Sequence, residues 1–303
     1  LDRVFGMHYD IGCFLNIGQD HISPLEHDSF DDYLNCKIKF LTMCDKVIIY
    51  KQTDYYDEII ERIKDKEVIT YGVTRDCDYY IKDIMPCDDR ITFNVVHDGV
   101  LENYYITMEG TFNVMNATCA IAIAKLLGVS KENIQKGLEK THVEGRMEKV
   151  EDSFGPVIID FAHNGISAET LYKTVKETYK NKRIVSVFGC PARGGDIRKK
   201  DMGTYAGMYA DYIYLTADDP DKESVRKICD DIAEYIKPYN KPYEIIEDRK
   251  SAIETALARR KENDILLILG KGNEDTQLTK NGYEPYEQDI NVVKNYLKRS
   301  KRR

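Results

Sequence analysis

Apolar runs of strand length alternate with amphipathic stretches through the second half of the chain. VIID (157–160), RIVSVFG (183–189), DYIYLTA (211–217), YEIIED (243–248) and DILLILG (264–270) read as strands. Between and after them, SAETLYKTVKETYK (167–180), KKDMGTYAGMYA (199–210), SVRKICDDIAEYIK (224–237), KSAIETALARR (250–260) and DINVVKNYLKRS (289–300) read as helices. Strand and helix alternating at this length predict a doubly wound, mostly parallel sheet, with ligands beyond the carboxyl ends of its strands. The loops DFAHNG, FGCPARGGD, TADDPD and LGKGNED all fall at that rim.

The first half is less regular. GCFLNI (12–17) and KVIIY (46–50) have strand length, and DYYDEIIERIKDK (54–66) is helical, with Tyr55, Ile59, Ile60 and Ile63 on one face. VITYG, DYYIKDI, ITFNVVHDG and VLENYYITM follow as β-rich segments. NVMNATCAIAIAKLLGV (113–129) predicts a buried helix stopped at Gly128, and Ser130 caps the next one. The division falls at 1–149 and 150–303, both parts α/β.

Composition narrows the setting. The 303 residues carry a net charge of −8, which argues against a broad nucleic-acid surface. The basic tail KRSKRR (298–303) reads as a solvated helix end. No apolar stretch is long enough to span a membrane. Eight cysteines without a CxxC pair suit a reducing, cytoplasmic compartment. The start, LDRVFGMHYD, has no initiator methionine and reads as cut into from a longer protein.

Several residues could carry chemistry. Ser29 with Asp32 resembles a capping box, so a helix begins near Phe30. Phe30, Tyr33, Leu34, Lys37 and Leu41 then share one face, which puts Lys37 on an apolar stripe. Its ammonium either snorkels to water or, if neutral, forms a carbamate that ligates metal. His21 is a candidate metal or phosphate contact. GTFNVMNA (110–117) places Asn116 in a helix's first turn. VEGRME (143–148) places Arg146 after a glycine, and DFAHNG (160–165) places His163 past a strand end. LGKGNEDTQ (269–277) sets Gly270 and Gly272 around Lys271, with Glu274 on the same loop. GxxxxGK[ST] is absent from this sequence. TADDPDKES (216–224) gathers Asp218, Asp219 and Asp221: a metal cluster, a solvated turn, or a clamp for a cation.

Taken together, LNIGQDHI…EHDSFDDYLNCK, GTFNVMNA, VEGRME, DFAHNG, FGCPARGGDIRKKDM, TADDPDKES and GKGNEDTQ resemble the Mur ligase family. Within it they resemble the branch that adds the third residue of the peptidoglycan stem peptide. The resemblance implies part of a central ATPase domain (1–149, P-loop part absent) and a C-terminal Rossmann-like ligase domain (150–303). It implies an ATP- and Mg2+-dependent ligase acting on UDP-N-acetylmuramoyl-L-alanyl-D-glutamate. An acyl phosphate forms on the D-glutamyl carboxylate and is attacked by an amino acid's amine. By position, Lys37 matches the carbamylated lysine and His21 the histidine of a magnesium site. Asn116 and His163 match nucleotide contacts, Arg146 the interdomain arginine, and Arg198 a basic loop facing the amino acid.

The family's diaminopimelate-adding members carry Asp-Asn-Pro-Arg where this chain has Asp218-Asp219-Pro220-Asp221. A carboxylate at 221 repels a second carboxylate and favours an ammonium, so the resemblance implies L-lysine, with Glu274 at its amino group. Gly270 and Glu274 complete that pocket. Asn273 departs from the family's usual histidine, and FGCPARGGD is less glycine-rich than in the diaminopimelate branch. A monomer is expected. Alternatives are a diaminopimelate-adding ligase or a non-catalytic nucleotide- or substrate-binding module. An amidotransferase-associated relative would carry a four-cysteine zinc ribbon, and a folylpolyglutamate synthetase matches the DDP and GKGNED loops poorly.

Overall fold

The computed structural model describes every residue except 1–3, 5, 19–21, 23–26, 88, 193, 194 and 301–303. The chain divides into two units, Leu1–His142 and Val143–Arg303.

The first unit runs β1 (Tyr9–Phe14), α1 (Phe30–Thr42), β2 (Cys44–Tyr50), α2 (Tyr56–Arg62), β3 (Glu67–Gly72), β4 (Tyr79–Pro86), β5 (Ile91–His97), β6 (Val100–Ile106), α3 (Phe112–Leu126) and α4 (Lys131–Lys140). The sheet order is β1-β2-β3-β4-β5-β6, parallel through β4 and antiparallel beyond it. Alternation along β2 divides its side chains between two cores. Val47 and Ile49 pack with Leu34, Ile38 and Leu41 of α1 and with Ile59 of α2. Ile48 packs with Tyr71, Phe93, Tyr104 and, from α3, Val114 and Ile121. Asp98 and Gly99 join β5 to β6, both at positive φ (50° and 74°), as a two-residue hairpin turn requires.

The second unit runs β7 (Glu148–Val150), β8 (Val157–Asp160), α5 (Gly165–Thr178), β9 (Arg183–Phe188), α6 (Gly195–Tyr209), β10 (Tyr212–Leu215), α7 (Val225–Ile236), β11 (Tyr243–Ile245), α8 (Arg249–Arg259), β12 (Asp264–Leu269), β13 (Thr276–Thr279), β14 (Gly282–Pro285) and α9 (Asp289–Ser300). Its main sheet has the order β11-β10-β9-β12-β8-β7, parallel except for β7. Helices α8 and α9 cover one face through Ile253, Leu257, Ile290 and Val293. On α5, the Tyr172 hydroxyl donates to Ser186 Oγ of β9 at 2.9 Å, so two buried polar atoms satisfy each other.

The expected α/β architecture is present in both units, with four local corrections. Helix α2 spans Tyr56–Arg62 rather than 54–66: Tyr55, exposed and left-handed (φ 60°), bars helical geometry at its start, and Ile63 (φ −120°) leaves it at its end. Asn116 lies in the second turn of α3, not the first, and is exposed; the buried asparagine is Asn113. Lys37 is exposed rather than on the apolar stripe, since the buried face of α1 is Leu34, Ile38 and Leu41. The hairpin β13–β14 was not expected from the sequence.

Candidate functional site

Because β8, β9, β10 and β12 are parallel neighbours, the loops that follow them leave from one edge of the sheet. Main-chain hydrogen bonds tie these loops together. Gly270 N donates to Asp160 O (3.1 Å), and Ala192 N donates to Asp219 O (2.9 Å).

The DFAHNG loop is organised by Asp160. This buried carboxylate accepts from Met147 N through one oxygen and from Ala162 N through the other, each at 2.7 Å. Burial raises its pKa, and the two N–H donors oppose that rise. The GRME turn is fixed to the same loop by Phe161 N donating to Gly145 O at 2.8 Å. Gly145 has φ +68°, and a Cβ there would lie 2.3 Å from Asn273 N, so only glycine fits. Arg146 is exposed, with its guanidinium 4.7 Å from the Phe161 ring centroid. The Phe161 ring meets His163 edge-on at 4.7 Å, and His163 Nδ1 lies 2.7 Å from Phe161 O. Arg146 and His163 therefore both meet the Phe161 ring.

The TADDPD loop is acidic, as read from the sequence, but its carboxylates have different surroundings. Asp218 is only 6% exposed, and its Oδ2 has no hydrogen-bond partner among the described residues. Burial pushes its pKa up to about 6, against the pull of Arg249 and Lys271. Gly270, at φ +108°, makes room for it: a Cβ there would lie 2.4 Å from Asp218 Oδ2. Asp219 Oδ1 accepts from Lys271 Nζ (2.8 Å) and from Leu278 N (3.0 Å). Asp221 has φ +48°, and its N donates to Leu278 O (2.9 Å). Glu274 pairs with Lys271 at 2.6 Å. Asp218 does not cap α7; Ser224 does, accepting from Lys227 N. Arg198, on α6, is part-buried, while its neighbour Lys199 is buried against Asp231 at 2.9 Å.

Two contributors have no role assigned from the sequence. Lys271 is 1% exposed and sits between Asp219 and Glu274. Burial works against its charge, but the surrounding carboxylates of Asp218, Asp219 and Glu274 prevail and raise its pKa. Arg249 is fully buried in a two-pronged pair with Asp289 (2.9 and 2.7 Å), and also donates to Ala217 O and Leu269 O. Those two carbonyls begin the TADDPD and LGKGNED loops. Glycine spacing around Lys271 was the only sequence signal for it; Arg249 sits in an ordinary helical stretch and gave none.

In the first unit, His21 lies outside the described residues. Lys37 Nζ stands 5.1 Å from the Tyr33 ring centroid. At the start of α1 and just before it, ligand atoms of His27, Asp32 and Cys36 lie within 4.8 Å of one another, with His27 Nδ1 2.7 Å from Asp32 Oδ2. Only one of the three offers oxygen, whereas magnesium takes oxygen ligands. This cluster does not by itself make a magnesium site. Asn116 donates to Asn113 Oδ1 at 3.2 Å. No helix among the described residues is long and apolar enough to cross a membrane.

Comparison with known proteins gives the chain's family. Residues 1–124 match the Mur ligase middle domain, and residues 145–272 match the Mur ligase glutamate ligase domain. A UDP-N-acetylmuramoyl-L-alanyl-D-glutamate–L-lysine ligase from Streptococcus pneumoniae is 37% identical over 299 residues, covering 97% of this chain and 60% of the relative. A UDP-N-acetylmuramyl-tripeptide synthetase from Ligilactobacillus salivarius is 33% identical, covering 97% of this chain and 61% of its own length. The chain thus spans about three fifths of these relatives. Among solved structures, a UDP-N-acetylmuramate-alanine ligase from Thermotoga maritima aligns with a TM-score of 0.69 at 17% identity, covering 97% of this chain and 60% of that one. A MurF ligase from the same organism, in complex with ADP, gives 0.66 at 15% identity, covering 97% and 63%. At such identities the structural likeness speaks to fold alone.

Proposed function

The chain belongs to the Mur ligase family, and from that premise we propose that its protein is an ATP-dependent ligase joining L-lysine to UDP-N-acetylmuramoyl-L-alanyl-D-glutamate. The D-glutamyl carboxylate takes the γ-phosphoryl group of ATP, releasing ADP. The lysine amine attacks the acyl carbon, phosphate leaves, the amine's proton is lost, and an amide remains. Two domains carry this out, a nucleotide-handling one and a C-terminal one that takes the amino acid; the boundary read from the sequence at 149/150 lies a few residues past the division between the two compact units at 142/143.

The observation that supports lysine is the charge of the TADDPD–GKGNED rim. Asp218, Asp219 and Glu274 surround one lysine, and Asp221 stands at the end of the same loop. A surplus of carboxylate favours an ammonium and disfavours a second carboxylate. Arg146 and His163 around Phe161 suit a nucleotide contact, and Asn116 is a further one. Gly270 and Arg198 line the amino-acid side. The eight free cysteines suit a reducing, cytoplasmic setting.

The test is phosphate release by the full-length protein given ATP, magnesium and the UDP-linked dipeptide, with L-lysine, L-ornithine and meso-diaminopimelate offered separately. Preference for lysine is expected. Preference for diaminopimelate would overturn the reading of the acidic rim and keep the ligase. Release with none of them would overturn the ligase.

A further inference from the structure

Lys271 is a cation held against the carboxylates of the TADDPD and GKGNED loops. Its side chain is 1% exposed, whereas those of its partners Asp219 and Glu274 are 23% and 39% exposed. The lysine therefore lies beneath the two carboxylates. It holds Asp219 by Oδ1 and Glu274 by Oε2. The backbone fixes the same arrangement. Glu274 N donates to Lys271 O at 2.9 Å, which closes the turn that brings the two side chains together. Leu278 N holds Asp219 Oδ1 from the β13 side. Counted together, the three side chains carry one net negative charge.

We propose that Lys271 is a positioning residue for the incoming amino acid: from below, it fixes the spacing of Asp219 and Glu274 so that their outer faces present a single net negative charge to a substrate ammonium. Without it the two carboxylates repel each other, and the spacing an ammonium needs is lost. This rests on the ligase reading above, and it adds a residue that does not itself touch the substrate.

The experiment compares Lys271→Ala and Lys271→Met in the full-length protein. Alanine opens a slot of the lysine's shape beneath the carboxylates; methionine fills the slot without charge. In Lys271→Ala, KM for L-lysine rises about tenfold or more, the loss of one hydrogen-bonded charge contact, while kcat stays within a few-fold. Propylammonium at millimolar levels brings that KM back toward the wild-type value and raises the melting temperature of Lys271→Ala. It does neither for Lys271→Met or the wild type. An unchanged or lowered KM in Lys271→Ala overturns the proposal, as does a raised KM that propylammonium leaves in place. If the wild type ligates no amino acid, the ligase reading fails on its own. Amine-dependent stabilisation of Lys271→Ala then still decides whether Lys271 is the counter-ion of this acid pair.

Discussion

Asp218 couples the site to pH. Its folded pKa lies near 6, above the ordinary aspartate value of 3.8. The native state therefore holds a proton that the unfolded chain has already lost. The sign follows: stability falls as pH rises from about 4 to about 6, by up to about 3 kcal/mol, and then levels off. Asp218→Asn removes this dependence, so the variant's melting temperature should exceed the wild type's by more at pH 8 than at pH 4. Gly270→Ala should cost about 1–3 kcal/mol, because alanine at φ +108° is strained and its Cβ meets the Asp218 carboxylate. Denaturant unfolding would measure it. Lys37→Ala, at an exposed site, should leave stability within about 0.5 kcal/mol, so any lost turnover there would be chemical. The acidic loop was legible because its residues are contiguous in sequence. Lys271 was not, because a lysine between glycines looks solvated until its partners at 219 and 274 are seen around it.

Among the elements, strands and helices of the second unit were legible because continuous apolar runs of strand length alternate with longer mixed polar and apolar stretches. The hairpin β13–β14 was not. TQLT and GYEP hold few apolar residues and carry no alternation to read. What defines this ribbon is its bonding to the acidic loop. Gln277 Nε2 donates to Asp218 O (2.6 Å), and Leu278 meets both Asp219 and Asp221. Behind the loops, Arg249 joins α8 to α9 through Asp289, whose other oxygen contact is the Tyr286 hydroxyl at 2.6 Å. Arg249→Met would leave Asp289 as a buried, unpaired charge and free two loop carbonyls. A loss of about 3–5 kcal/mol is expected in equilibrium unfolding.

At the scale of the molecule, each unit has its own core, and the residues proposed to choose the amino acid lie in Val143–Arg303 alone. Ionisation of Asp218 should therefore register in amino-acid affinity. KM for lysine should fall as pH rises through about 6 and then level, while KM for ATP does not follow that curve. Initial rates of phosphate release across pH would check both. The frame of the acidic loop is held largely by main-chain atoms: Asp218 O, Asp219 O and Asp221 N all bond outward, whatever their side chains are. The course of the loop is thus set apart from its side chains, yet exchanging them is not free: Asp218 is buried, and Asp219 holds both Leu278 N and the buried Lys271, so diversification at either position carries a cost in stability. Position 221 adds a backbone constraint of its own, because its left-handed conformation favours Gly, Asn or Asp there.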